Sequence, residues 1–187
     1  MDTIKYLELA TSKDTGRYNL NSIYRDKTCM VATDGHRLHL VGGLAEIEKP
    51  HHLSGIDADY PDYQLVLPKD TIEICSLKID KKQVKQLKAL ANLIGKIPIV
   101  RMTIVNHQLR LEYTSAGIGG WLTLEVQDQK FTFTPIGIRL DYLIDAIIPD
   151  QRITIQQALS GHNPVMFSYD SYKTFALIMP CKLDQAN

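Results

Sequence analysis

What this 187-residue chain lacks narrows its function first. It has three cysteines, Cys29, Cys75 and Cys181, odd in number and far apart. That excludes a disulfide framework and a zinc module, and predicts reduced thiols in a cytosolic protein. No apolar run approaches the roughly 18 residues of a membrane helix. Met1-Asp2-Thr3-Ile4-Lys5 lacks a basic region followed by an apolar core, so no signal peptide is expected. Charge of one sign is missing too: 21 basic side chains face 21 acidic ones. This argues against tight electrostatic nucleic-acid binding by the whole surface, though not against a local basic face or a protein that holds DNA by enclosure.

Catalytic and metal-binding patterns are absent as well. His36 and Asp34 flank a tight turn with no nucleophile beside them. His51-His52 with Asp57, Asp59 and Asp62 is a poor metal set, because adjacent histidines point apart. Gly117, Gly119 and Gly120 lie between two strands and read as a hairpin, not a phosphate loop. Trp121 opens a strand and reads as a core or interface residue. The sequence therefore predicts no enzyme, no metal and no cofactor.

What is present is pattern. In Val31-Ala32-Thr33-Asp34-Gly35-His36-Arg37-Leu38 an Asp-Gly turn sits between strand-forming flanks. Helix is expected over Asp2–Ala10, then strands over Tyr18–Tyr24, Thr28–Thr33 and Arg37–Val41. Residues 43–60 are turn-rich and read as a linker. Beyond Pro61 the expected order is a strand (Thr71–Ile79), then a helix (Lys81–Ile94) capped by Asp80. Strands follow over Ile97–Val105, Gln108–Thr114, Trp121–Val126 and Lys130–Thr134, with a turn at Asn106-His107. A helix over Ile138–Ile148, ended by Pro149, precedes strands over Arg152–Gln157, Val165–Tyr169 and Lys173–Met179. Strand, helix, strands, and the same again suggests a repeated α+β unit. Tyr6-Leu7-Glu8-Leu9-Ala10 faintly echoes Tyr142-Leu143-Ile144-Asp145-Ala146.

The V-A-T-D-G-H-R-L string closely resembles the signature of the bacterial β sliding clamp, the processivity subunit of DNA polymerase III. Four further segments resemble that family in its order: Arg17-Tyr18-Asn19-Leu20-Asn21, Pro61-Asp62-Tyr63-Gln64-Leu65-Val66-Leu67-Pro68, Asp141-Tyr142-Leu143, and Ala176-Leu177-Ile178-Met179-Pro180-Cys181-Lys182-Leu183. The resemblance implies an α+β DNA-clamp fold, with helix pairs packed on antiparallel sheets. It also implies half of a middle domain (1–42), a linker (43–60) and a complete last domain (61–187). Nothing resembles the family's first domain, and the chain runs on past the usual ending as Asp184–Asn187.

By the same resemblance, a pocket between the two domains receives short peptides, of the Gln-x-x-Leu-x-Phe type, from polymerases, loaders and repair proteins. One wall would be Arg17, Leu20, Thr33, Gly35, His36, Arg37, Leu38, Pro61, Leu65 and Val66. The other would be Arg139, Tyr142, Asn163, Pro164, Leu177, Ile178, Met179, Pro180, Cys181, Lys182 and Leu183. Apolar walls with a few polar anchors suit a peptide, and Met179 adapts to varied partners. Taken singly, Leu20, Val66 and Ile178 read equally as core. In the helix 81–94, Lys81, Lys82, Lys85 and Lys88 share one face; the stripe reads either as a solvated surface or, as in clamps, as a contact to double-stranded DNA. The expected partners are thus clamp-motif proteins, DNA, and a second copy joined through the half domain, whose strand edges and helix face would otherwise stay open. Such a chain is a minimal clamp that closes into a ring by oligomerising, or a soluble decoy or adaptor that binds the motif without encircling DNA.

Overall fold

In the computed structural model the described residues are 2–115, 118–132, 134–158, 164–169 and 173–183. They hold α1 (Thr3–Glu8), β1 (Tyr24–Arg25), β2 (Cys29–Thr33), β3 (Arg37–Gly42) and β4 (His51–His52). Then come β5 (Thr71–Lys78), α2 (Lys81–Ile94), β6 (Ile99–Val105), β7 (Gln108–Ser115) and β8 (Ile118–Gln129). Last are β9 (Ile136–Arg139), α3 (Leu140–Ala146), β10 (Arg152–Ala158), β11 (Val165–Ser168) and β12 (Thr174–Ile178). The strands form one antiparallel sheet in the order β4-β1-β2-β3-β12-β11-β10-β5-β8-β7-β6-β9.

The order β-α-β-β-β occurs twice after residue 70, as β5-α2-β6-β7-β8 and as β9-α3-β10-β11-β12. Each unit lends its first strand to the other: β5 pairs with β10, and β9 pairs with β6. The helices α2 and α3 pack together. The N-terminal α1-β1-β2-β3 is a third such unit without its leading strand. Its β3 pairs with β12, register Phe175↔Leu40 and Leu177↔Leu38, so the two parts share one sheet.

Strand alternation divides the core. His39, Val41, Ala176 and Ile178 face the helices and join the main core with Leu7, Leu87, Leu143 and Phe167. Leu38, Leu40, Phe175 and Leu177 face the other way and meet Val31 and Tyr63 in a smaller core. Burying each of the Val, Leu, Ile and Phe side chains among these contributes about 1.5–3 kcal/mol. In α2 a capping box is complete: the Asp80 carboxylate accepts from the Gln83 amide at 2.7 Å, and the Gln83 side chain accepts from the Asp80 amide at 2.9 Å. The helix ends at Gly95, whose φ of +112° suits glycine.

Three expectations are corrected. Tyr18–Tyr24 is not a strand: Asp14 caps a 3-10 helix over Thr15–Leu20 by accepting from the Gly16 amide at 2.9 Å, and pairing begins only at Tyr24. The strand placed over Trp121–Val126 is longer, β8 over Ile118–Gln129, and the described residues of Lys130–Thr134 form no strand. The helix placed over Ile138–Ile148 is shorter, because residues 136–139 extend to pair with β6. Residues 43–60 carry β4, paired with β1 through Tyr24↔His52 and Arg25↔His51. The β1 edge expected to be open is therefore covered.

His39 ties α1 to this sheet. Its ring stacks on Tyr6 at 4.4 Å, and Nδ1 donates to the Tyr6 carbonyl at 2.8 Å. Burial pushes its pKa down to about 4. The unfolded chain takes up a proton near its ordinary pKa of about 6.5, while the folded chain resists until about 4. Stability supplied by neutral His39 is thus complete above about pH 6.5 and lost toward pH 4, amounting to about 3 kcal/mol. Urea melts across this range should show that loss, and His39→Phe should flatten the slope by that amount; equal slopes in both proteins would contradict it.

Candidate functional site

The hairpin between β2 and β3 is held by its own residues. Gly35 has φ +88°, and the Asp34 carboxylate accepts from the amides of His36 (2.9 Å) and Arg37 (3.1 Å). The Thr33 hydroxyl donates to the Arg37 carbonyl at 2.6 Å and accepts from the Gly35 amide at 3.0 Å. Arg17 donates to the Asp34 carbonyl at 3.1 Å. The positive φ favours glycine at this position; a Cβ there would also stand 3.0 Å from the Arg17 guanidinium, the flexible end of a half-exposed side chain that would have to give way. On the far side, the Met179 amide donates to the His36 carbonyl at 2.9 Å, fixing the end of β12 against the turn.

These contacts frame an apolar cavity of about 160 Å³. Among the described residues it is lined by Leu20, Thr33, Gly35, His36, Arg37, Leu38, Pro61, Asp62, Tyr63, Val66, Pro164, Leu177 and Met179. Tyr63 forms part of the floor, held where its hydroxyl donates to Asp26 at 2.6 Å and meets the Cys29 thiol at 3.2 Å. Asp62 caps the 3-10 turn Tyr63–Val66 through the Gln64 amide at 3.1 Å. His36 and Arg37 also border a second, polar cleft of about 580 Å³, with Arg17, Arg139, Asp141, Tyr142 and Asp145.

That cleft centres on Tyr142. The guanidinium carbons of Arg37 and Arg139 lie 4.3 and 4.0 Å from its ring centroid. Each such contact is worth about 0.5–2 kcal/mol. Arg37 also binds Asp34 at 3.1 Å and Asp145 at 2.6 Å. Arg139 binds Asp141 through both of its carboxylate oxygens. Burial pushes the Asp145 carboxyl above its ordinary pKa in spite of Arg37, and raises the Tyr142 phenol as well. The cleft therefore holds an aromatic face covered by two guanidinium groups, and it is lined by four carboxylates, Asp14, Asp34, Asp141 and Asp145.

The structure thus brings together Leu20, Thr33, Gly35, His36, Arg37, Leu38, Pro61, Val66, Pro164, Leu177 and Met179 at the cavity, and Arg17, Arg139 and Tyr142 at the cleft. Leu65, expected in the first wall, is 82% exposed on the outside of its 3-10 turn. Ile178 belongs to the main core instead, because strand alternation turns it away from Leu177 and Met179. Pro180, Cys181, Lys182 and Leu183 line neither space; Cys181 instead bridges to Gly137 on the outer edge of β9. Asn163 and the tail Asp184–Asn187 lie outside the described residues. Asp62 and Tyr63 were missed, although they sit inside the quoted P-D-Y segment. The lysines Lys81, Lys82, Lys85 and Lys88 are all exposed on α2, with Leu87 buried beneath.

No protein-family model and no curated protein matches the sequence. Solved structures do match. The DNA polymerase III subunit beta from Borrelia burgdorferi, solved with a natural product, superposes with a TM-score of 0.79 at 18% identity. The DNA polymerase sliding clamp from Pseudomonas aeruginosa gives 0.76 at 17%, and the sliding clamp from Bartonella birtlesii, bound to griselimycin, gives 0.72 at 19%. Each match covers 96% of this chain. The chain spans 60–64% of the length of those proteins. Its fold is that of the bacterial sliding clamp.

Proposed function

We propose that this protein is a clamp-fold docking protein of DNA replication and repair, which binds short linear peptides in the cavity over the paired strands β3 and β12. The observation that carries this reading is the two-part site. An apolar cavity, open at the Gly35–Arg37 turn, adjoins a cleft built on the Arg37–Tyr142–Arg139 contacts. The cavity suits the apolar residues of a Gln-x-x-Leu-x-Phe peptide, and the cleft suits its polar flank. Binding, rather than catalysis, also fits the state of Asp34 and Arg37. The Asp34 carboxylate accepts from two amides and from the Arg37 guanidinium, so it is committed to the turn.

Amide chemical shifts test this. Adding such a peptide should perturb Leu20, His36, Val66, Met179 and Tyr142. Perturbations confined to other surfaces would overturn the assignment of the site.

Two activities on DNA compete. In a minimal clamp, two chains join their N-terminal halves into one composite domain, and the lysine face of α2 meets phosphates. In a decoy or adaptor, the motif is bound without encircling DNA. The covered β1 edge favours the adaptor, since a composite domain would have to displace β4. An adaptor should wash off nicked circular DNA, and Lys82→Glu with Lys85→Glu should leave its behaviour unchanged. Retention on nicked circles, lost on linearisation and weakened by those two substitutions, would establish the clamp.

A further inference from the structure

We infer that the cleft between the 3-10 helix Thr15–Leu20 and the segment 50–60 is a receptor for an arginine side chain of a partner polypeptide. Its walls are held by local bonds. β4 pairs with β1 in the register Tyr24↔His52, which sets the two rings edge to face with centroids 5.3 Å apart. The Gly55 amide donates to the His52 carbonyl at 3.0 Å, closing a turn. His52 Nε2 then donates to the Ala58 carbonyl at 3.0 Å, which holds the returning chain against the ring. Asn19 donates to the Asp59 carbonyl at 3.3 Å, tying this segment to the 3-10 helix that carries Tyr18. The space enclosed is about 680 Å³, with Tyr18, Tyr24, His52, Asp57, Asp59 and Tyr60 among its walls.

The wall groups call for a cation that carries hydrogen-bond donors. A carbonyl only accepts, so His52 Nε2 carries the proton of its bond, and in the neutral imidazole Nδ1 is left as an acceptor. His52 is 3% exposed, and its Nδ1 has no hydrogen-bond partner. A buried acceptor without a donor is costly, and a ligand N–H would relieve that cost. Asp57 and Asp59 are exposed. Among the described residues neither carboxylate takes part in an ion pair, and no lysine or arginine lines the cleft. Burial, Asp26 and Asp59 together raise the pKa of the Tyr24 phenol, in keeping with a negative potential there. The aromatic faces are unequal. Tyr24 and Tyr60 stack on each other at 4.6 Å, whereas Tyr18 is 60% exposed and meets no other ring among the described residues.

The occupant follows from these groups. Among the described residues no cluster of three or more His, Cys, Asp or Glu side chains could hold a metal ion, so the histidine and the aspartates are left to an organic cation. A guanidinium is planar and carries five donors in a fixed fork, enough to serve Nδ1 and a carboxylate together while its face lies on Tyr18. An ammonium is a compact, strongly hydrated charge without such a face, and it fits less well. Free arginine is disfavoured, because its α-carboxylate would meet two carboxylates and no cation. An arginine inside a polypeptide brings no such charge. The cleft lies beside the apolar cavity, since Tyr60 meets the cavity residue Tyr63 edge to face with centroids 6.5 Å apart. The recognition of arginine does not rest on what that cavity binds.

The test titrates the full chain with the blocked tripeptide acetyl-Gly-Arg-Gly-amide and follows the His52 ring by nitrogen NMR. The expected dissociation constant is about millimolar. The Nδ1 resonance should move upfield as that nitrogen accepts a hydrogen bond. Tyr18→Ala and Asp59→Asn alter exposed side chains, and each should weaken binding about fivefold with the melting temperature unchanged. Glu48→Gln, which removes an exposed carboxylate outside the cleft, should change nothing. The citrulline tripeptide keeps the shape without the charge and should not bind; the lysine tripeptide and free L-arginine should bind more weakly. An unmoved Nδ1 resonance, or citrulline and arginine tripeptides that bind alike, would overturn the proposal. Free L-arginine binding as tightly as the tripeptide would overturn the polypeptide as occupant. The tripeptides contain neither leucine nor phenylalanine, so their failure would leave the Gln-x-x-Leu-x-Phe reading untouched.

Discussion

Phe167→Ala lowers the stability of the fold by about 3–5 kcal/mol. Phe167 is among the largest of the fully buried side chains. It sits on β11 between Ile155 of β10 and Ala176 of β12, on the helix side of the sheet. Truncation removes its transfer free energy and leaves a cavity that two paired strands hold open. Urea melts should show a lower midpoint with an unchanged slope, the sign of lost stability and not of a changed denatured state. Leu65→Ala, at a position facing solvent, should stay within about 0.5 kcal/mol of the parent. A cost under about 1 kcal/mol at Phe167 would mean that β10, β11 and β12 pack differently.

Arg37→Ala has the second large effect, and it acts on stability and on the site together. The Arg37 side chain is nearly buried; it holds Asp34 and Asp145 and lies over Tyr142. Removing it leaves two carboxylates without their cation. A wholly buried pair would lose about 3–5 kcal/mol; because Asp145 keeps some contact with water, about 2 kcal/mol is the expectation. The pH dependence has a defined sign. The folded pKa of Asp145 is already raised by burial, with Arg37 opposing that rise. Without Arg37 it rises further, so the folded variant binds a proton that the unfolded chain at the same pH does not. The defect is therefore full at neutral pH and shrinks as pH falls through the raised pKa. Asp145→Asn added to Arg37→Ala should recover part of the loss at pH 7. A variant as stable as the parent at neutral pH would show that Arg37 is solvated.

Some of this architecture was legible in the residues. The β2–β3 hairpin could be read because Asp34-Gly35 satisfies its turn locally and the flanks alternate. The helix α2 could be read because Asp80 and Gln83 form a capping box and Leu87 recurs at helical spacing with Val84, Leu90 and Ala91. Where buried residues run together, the pattern fails. Over residues 136–148 the alternation of Ile136, Ile138 and Leu140 runs directly into the helical spacing of Leu140, Leu143 and Ile144, so the boundary between strand β9 and helix α3 is not marked by any breaking residue. β4 is two residues whose pairing depends on the distant Tyr24, and no local propensity encodes it. The cavity walls were legible through their resemblance to the clamp family, yet the floor was not. Tyr63 points inward because Asp26, 37 residues earlier, accepts its hydroxyl. Ile178 was misplaced because a one-residue step along a strand changes its face.

The central claim is that the cavity beside the Gly35–Arg37 turn binds a clamp-type linear motif. Its most direct test is the titration of a fluorescent Gln-x-x-Leu-x-Phe peptide with the parent chain, His36→Ala and Tyr142→Ala. The expected dissociation constant is near micromolar, about −8 kcal/mol, weakened about tenfold by each substitution. An absence of binding at hundreds of micromolar, or binding that both variants leave untouched, would mean that these residues describe packing on one face of the shared sheet and not a site.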